Sequence, residues 1–132
     1  PSYFYKKTHM NSAYTLGQNG EQTAVLYLQQ QGYTIRHLNW RHHHIELDIV
    51  AETPQHLVII EVKTRSDVVF NRPWQAVNYA KIRHIVRAAH AYVLQHQVNK
   101  EVRFDIISVV STPDGTNIEH LQDAFVPPVE TR

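Results

Sequence analysis

The chain holds 132 residues, 42% of them hydrophobic and 19% charged, which is one domain's worth of material and excludes a wholly disordered chain. Lys and Arg number 13 against 12 Asp and Glu, so the formal net charge of +1 argues weakly against a strongly electrostatic nucleic-acid binder. With no Cys, a disulfide framework, a thiolate zinc site and a cysteine nucleophile are all excluded, whereas 10 His are conspicuous.

Residues 1–16 read as a flexible N-terminal arm, 17–126 as a single domain and 127–132 as a C-terminal tail. No apolar stretch follows Lys6 and Lys7, so the start does not read as a secretory signal. No apolar run approaches the roughly 20 residues a bilayer span needs, so no membrane is expected and the cytoplasm is the expected compartment. Asn19 followed by Gln22 matches a capping box, and Ala24, Val25 and Leu28 form one apolar face, which predicts a first helix from about Asn19 to a stop at Gly32. Three strands are expected next: Tyr33 to Trp40, Ile45 to Glu52 and Leu57 to Thr64, with His42 to His44 in a turn. The third carries Val58, Ile59, Ile60 and Val62, the pattern of a central strand buried on both faces.

Pro73 opens a long helix, roughly Trp74 to Gln97, whose buried stripe is Ile82, Ile85, Val86, Ala89, Tyr92 and Val93. Val102 to Val110 reads as a fourth strand, Asp114-Gly115 as a turn and Ile118 to Leu121 as a short fifth strand. The order α-β-β-β-α-β-β is that of an α/β domain with a mixed sheet of about five strands flanked by helices. A helix between the third and fourth strands is a crossover, which makes that pair parallel.

Two strands carry the chemistry. Glu46 and Asp48 alternate onto one face of the second, and Glu61 and Lys63 onto one face of the third, with Ile45, Leu47, Ile49, Ile60 and Val62 on the opposite faces. Charges in so apolar a sheet are costly unless they pair or hold a metal. Asp48 and Glu61 suit a hard divalent cation, Mg²⁺ or Mn²⁺, and Lys63 beside it would orient a water or steady a phosphate charge. The alternative is an internal ion pair of Lys63 with Glu61 or Asp48. Glu21, at the head of the first helix, either closes the metal site or serves only the positive end of the helix dipole.

Weaker signals surround this core. Gln75 with Tyr79 either touches nucleic acid or forms a polar helix face. Lys81, Arg83, Arg87 and His90 are either a phosphate-binding face or a solvated one, and Arg65 is the better phosphate contact. Trp40 and Trp74 stack on a base, form an interface or are simply half-buried, Arg103 and Asp105 alternate onto one face and can pair with each other, and the His42 to His44 run is expected as a solvated turn rather than a transition-metal site.

Together these features resemble the YraN family of predicted endonucleases, related to archaeal Holliday-junction resolvases within the PD-(D/E)xK nuclease superfamily. The resemblance runs from Gly17 to Phe125 through Gly17-x-x-Gly20-Glu21, Ala24-x-x-Tyr27-Leu28, Gly32-Tyr33, Asn39-x-Arg41, Glu46-Leu47-Asp48-Ile49 and Ile60-Glu61-Val62-Lys63-Thr64-Arg65, then Lys81, Arg103-Phe104-Asp105 and Asp123-Ala124-Phe125. It implies a restriction-endonuclease-like core that hydrolyses DNA phosphodiester bonds, with branched or junction DNA as substrate and a homodimer as the working form. It further implies Asp48 and Glu61 as metal ligands, Lys63 as the motif lysine, Glu21 as the helix-one glutamate and Glu46 as a residue that reaches the ion indirectly. The family usually has Gly where this chain has Ile45, so the hairpin is expected to be shaped differently. Two other readings remain: a non-catalytic nucleic-acid-binding module that keeps the fold, and a partner in a repair complex.

The near-neutral charge is a cancellation. Residues 63–103 hold eight Lys or Arg against two acidic residues, a net of +6, and the rest of the chain carries −5. A carboxylate metal site beside a basic segment has this distribution.

Overall fold

The β-branched run at Val58–Val62 makes one strand buried on both faces, and the rest of the fold is arranged around it. A computed structural model describes residues 2–5, 13–66 and 78–125. Its elements in chain order are β1 (Ser2–Tyr5), α1 (Ala13–Gln30), β2 (Thr34–His42), β3 (Ile45–Glu52), β4 (His56–Ser66), α2 (Tyr79–His96), β5 (Glu101–Thr112) and β6 (Gly115–Leu121). They form one six-stranded sheet in the order β1-β6-β5-β4-β3-β2. β2, β3 and β4 are the expected antiparallel meander, and β4 and β5 run parallel across α2 as the crossover requires. This is the mixed α/β sheet with flanking helices that the pattern implied, and it is consistent with a restriction-endonuclease-like core.

The helices cover opposite faces. Ala24, Tyr27 and Leu28 of α1 pack on Ile49, Val58, Ile60 and Ile107. Ile85, Ala88, Ala89 and Tyr92 of α2 pack on Leu47, Val50, Ile59 and Ile106. Trp40 joins the α2 side, with its ring 5.1 Å from that of Tyr92, so it is a packing residue rather than an open stacking platform. Among the described residues no helix is long and apolar enough to cross a membrane.

Four expectations are corrected. Ser2–Tyr5, read as part of a flexible arm, pair with β6 as an edge strand, because Tyr3, Phe4 and Tyr5 have high strand propensity once a partner edge is present. α1 begins at Ala13, so Asn19 lies inside the helix rather than at its start. α2 begins after Asn78, whose extended backbone (φ −85°, ψ 171°) and side chain, accepting from the Lys81 N–H, form its N-cap. Leu47 and Ile49 do not share a face, since Leu47 packs on the α2 side and Ile49 on the α1 side. The expected Pro73, Trp74 and Gln75 start of that helix, and the C-terminal tail, lie outside the described residues.

The helix stop at Gly32 is as expected, with φ +90° and Tyr33 N donating back to Leu28 O at 3.0 Å. Ile45, in the place of the family's Gly, pairs with His42 across a two-residue turn, His43-His44, and its side chain packs against the core. His43 takes the left-handed conformation there (φ 57°), and His43 and His44 are exposed.

Gly20 is what lets α1 lie close on β4. A Cβ added at Gly20 would collide with the Thr64 Oγ1, and Thr64 is β-branched and stiff in its strand. Gly20→Ala is expected to lower stability by about 1–3 kcal/mol, despite the better helix propensity of Ala. Adding Thr64→Ala should restore most of it, because the Thr64 atoms in the way are removed. Denaturant titration of the two single variants and the double variant measures that coupling.

Candidate active site where two strands part

The β3–β4 ladder stops at the pair Ile49–Ile60. The next pair would be Asp48 and Glu61. Instead the strands diverge, and Asp48 Oδ2 accepts the Val62 N–H at 2.9 Å, so a side chain takes over from the ladder. β2 is distorted at the same level. Asn39, the residue opposite Asp48 in the β2–β3 register, sits in the left-handed region with φ 51°. Asn tolerates that conformation better than most residues. The alternation of β3 changes sides here, which places Ile45 and Leu47 on the α2 side and turns Glu46 toward α1.

Asn39 holds the two outlying carboxylates. Its Nδ2 donates to Glu21 Oε1 at 2.9 Å and to Glu46 Oε1 at 3.1 Å. Arg41 also pairs with Glu46, at 3.1 Å. Glu21 thus reaches the mouth of the parted strands from α1, while Glu46 stands beside it rather than on a shared face with Asp48.

From the other side come two lysines. Lys81 Nζ lies 2.6 Å from Glu61 Oε1, and Lys63 Nζ lies 3.4 Å from the same oxygen. Glu61 is buried. Lys81 sits in the first turn of α2, where a cation opposes the helix dipole, so Glu61 must compensate for its position. The Lys81 pKa is raised: burial, the largest single influence, works against the charge, but the hydrogen bonds to Glu61 and Lys63 and the charges of Glu61 and Asp48 together outweigh it. The Lys63 pKa is lowered, by burial first and then by the neighbouring Lys81, with Glu61 compensating only in part.

Asp48 is the exception among the carboxylates. Burial, then the nearby Glu61 charge, push its pKa up to about 7, with Glu21 adding to the rise and the Val62 N–H and Lys81 opposing it. Asp105 makes the contrast. It is more deeply buried, yet Arg103 Nε and Nη2 (3.0 and 2.9 Å), His120 Nε2 (2.7 Å) and the Asp123 N–H (3.0 Å) surround it. Burial would raise its pKa, but these partners outweigh that and lower it. Tyr27 hydrogen-bonds His120 at 2.7 Å and Arg103 donates to Tyr33 at 2.6 Å, so this pairing ties α1, β5 and β6 together as a structural node. One Asp is stabilised by its surroundings; the other is destabilised by them.

Asp48, Glu61, Lys63 and Glu21 therefore come together, with Glu46 at the margin. Lys81, expected as a phosphate contact, is instead part of the carboxylate centre. Arg83 and Arg87 are exposed on α2 and, with Ala80 and His84, line a cleft of about 130 Å³. His90 lies exposed further along that helix. Arg65 extends β4 beyond Lys63, opposite Val110. Gln75 lies outside the described residues. Sequence reasoning missed the bracing role of Asn39; an Asn inside a strand, where its β propensity is poor, was the available signal. Among the described residues no three His, Asp or Glu side chains converge as a ready-made metal cage. The oxygen donors and the excess negative charge at Asp48 nonetheless suit a divalent cation that keeps several of its waters.

The geometry gathers two strand carboxylates and two lysines where β3 and β4 part, in an α/β sheet. The chain belongs to a family whose model, described as "Uncharacterised protein family UPF0102", matches residues 20–109. It is 51% identical over 114 residues to a UPF0102 protein of Bacteroides thetaiotaomicron, covering 86% of this chain and 94% of that one. It is 47% identical over 111 residues to one from Porphyromonas gingivalis (83% and 82% covered), and 44% identical over 110 residues to one from Flavobacterium psychrophilum (83% and 92% covered).

A carboxylate with a raised folded pKa contributes stability that is complete below its unfolded value of 3.8 and is lost as pH rises through about 7. Asp48→Asn keeps an oxygen for the Val62 N–H and removes the charge. It should therefore be more stable than the parent at pH 8, by about 1–3 kcal/mol, with the gap closing toward pH 4. Thermal melts across that range check this. A gap that does not change with pH would mean that Asp48 carries no excess charge.

Proposed function

We propose that the protein is a metal-dependent endonuclease that hydrolyses phosphodiester bonds in DNA, with branched or junction structures as the preferred class. The observation that carries the reading is the uncompensated Asp48, held beside Glu61 where β3 and β4 part. A site selected for stability alone would pair that charge, as Asp105 is paired.

Asp48 and Glu61 would hold one Mg²⁺ or Mn²⁺, with the Val62 carbonyl a further donor and Glu21 completing the set directly or through water. When bound, the ion supplies Lewis acidity and a water of lowered pKa. The chain's own residues do the rest. Lys63, with its depressed pKa, orients the attacking water and can exchange a proton with it. Lys81 holds Glu61 in place and offsets charge on the phosphate. Asn39 fixes Glu21 and Glu46 at the margin so that neither collapses onto the lysines. Arg65, Arg83 and Arg87 carry the flanking phosphates, and Gln75 is assigned to the same role from the sequence. A junction with two symmetric cuts calls for two copies, so the working form is a homodimer.

Cleavage is tested with Mg²⁺ or Mn²⁺ on linear, single-stranded, flapped and four-way DNA. Asp48→Ala and Lys63→Ala are expected to lower the rate by about a hundredfold or more. Mn²⁺ should raise the melting temperature of the parent but not of Asp48→Asn. Arg83→Ala and Arg87→Ala should weaken DNA binding evenly across sequences, each reducing the salt slope by about 1. Binding without cutting, unchanged in the Asp48 and Lys63 variants, would instead make the protein a non-catalytic nucleic-acid-binding module.

A further inference from the structure

A second cleft opens beside the carboxylate centre, between α1 and the edge strand β2. It measures about 540 Å³ and is lined by Glu21, Gln22, Val25, Leu26, Leu38 and Asn39. That volume falls in the range of small-ligand sites, about 300–1,000 Å³. Leu26 and Leu38 are 57% and 51% exposed, unusual for large aliphatic side chains that line one concavity. Two of the lining residues, Glu21 and Asn39, also stand at the margin of the carboxylate centre, so the cleft borders the place where the phosphate would be cut.

We propose that this cleft binds an unpaired nucleobase of the strand being cut, next to the scissile phosphate. The proposal rests on the nuclease reading above and deepens it by naming the substrate class: DNA with an unpaired nucleotide at the cut, as in flaps and branch points, rather than continuous duplex. The chemistry of the lining selects a base over the other parts of a nucleic acid. Apolar walls at Val25, Leu26 and Leu38 suit the flat faces of a base and offer nothing to a sugar–phosphate chain. The Glu21 carboxylate repels phosphate but accepts hydrogen bonds from the exocyclic amino groups of adenine, cytosine or guanine. The Asn39 amide nitrogen is already committed to Glu21 and Glu46, which leaves its oxygen for a further base donor. Gln22, exposed at the rim, supplies both a donor and an acceptor. A base held in a duplex cannot enter such a cleft without the cost of unstacking and unpairing, a few kcal/mol, whereas a base at a branch is already free of most of it.

The test uses the full chain and three exposed-residue variants, Leu26→Asn, Leu38→Asn and Gln22→Ala, each checked by thermal melting. Cutting of flapped DNA should fall at least tenfold in Leu26→Asn and Leu38→Asn. In the parent, 2-aminopurine moved one nucleotide at a time past the branch should change its fluorescence at one position beside the cut, and that change should be lost in Leu38→Asn. Parent-like cutting by all three variants, with no responsive 2-aminopurine position, would overturn the cleft proposal while leaving the nuclease reading intact. Full activity with loss of self-association in Leu26→Asn and Leu38→Asn would also overturn it, making the cleft a contact between copies. A parent protein that neither cuts nor binds any of these DNAs would remove the nuclease reading and the cleft proposal together.

Discussion

Two carboxylates, Asp48 and Glu61, occupy the level at which β3 and β4 stop pairing, and their mutual repulsion is the constraint around which the site is built. Like charges brought together out of water are costly, and they persist only where other groups offset them. Glu61 is offset twice, by Lys81 and Lys63 on one oxygen. Burial and then the Glu61 charge push the Asp48 pKa up to about 7, and the Val62 N–H and Lys81 oppose that only in part. The surrounding distortions serve this arrangement. Asn39 adopts a left-handed backbone opposite Asp48 and ties down Glu21 and Glu46, and Gly20 lets α1 come close enough for Glu21 to reach the mouth.

Asp105, fully buried, and Asp48, half-buried, show how a single residue type divides between structure and chemistry. Asp105, enclosed by Arg103, His120 and the Asp123 N–H, has a lowered pKa and joins β5, β6 and, through Tyr27, α1. Removing Arg103 or His120 would leave a buried charge less fully compensated, which is a usual route to a loss of stability. Asp48 has only the Val62 N–H and the charge of Lys81 to set against burial and Glu61. Proteins tolerate such a group where function requires it.

Much of this was legible in the chain itself. The β-branched run of β4 and the alternation of β3 identify their strands almost to the residue, because burial on one or both faces dictates those patterns. Glu21, Asp48, Glu61 and Lys63 come together as the spacing of strand and helix implied. What escaped was set by long-range contacts. The close approach of α1 to β4 at Gly20 is visible only once Thr64 is seen against it. Ser2–Tyr5 becomes a strand only through β6, more than a hundred residues away in sequence. Strict alternation put Leu47 with Ile49, whereas the divergence at Asp48 separates them. Lys81 looked like one more surface cation on a basic helix, and only the cap at Asn78 shows that it falls in the first turn, facing Glu61.

The central claim is that Asp48 and Glu61 are held together to share a divalent cation. The most direct measurement is a crystal structure of the protein grown with Mn²⁺, with diffraction data collected to reveal the metal by its anomalous scattering. The account predicts a peak bonded to carboxylate oxygens of both Asp48 and Glu61, with Lys81 displaced from its present contact on Glu61. Saturating Mn²⁺ with no peak there, and Lys81 and Lys63 still closed on Glu61, would contradict it.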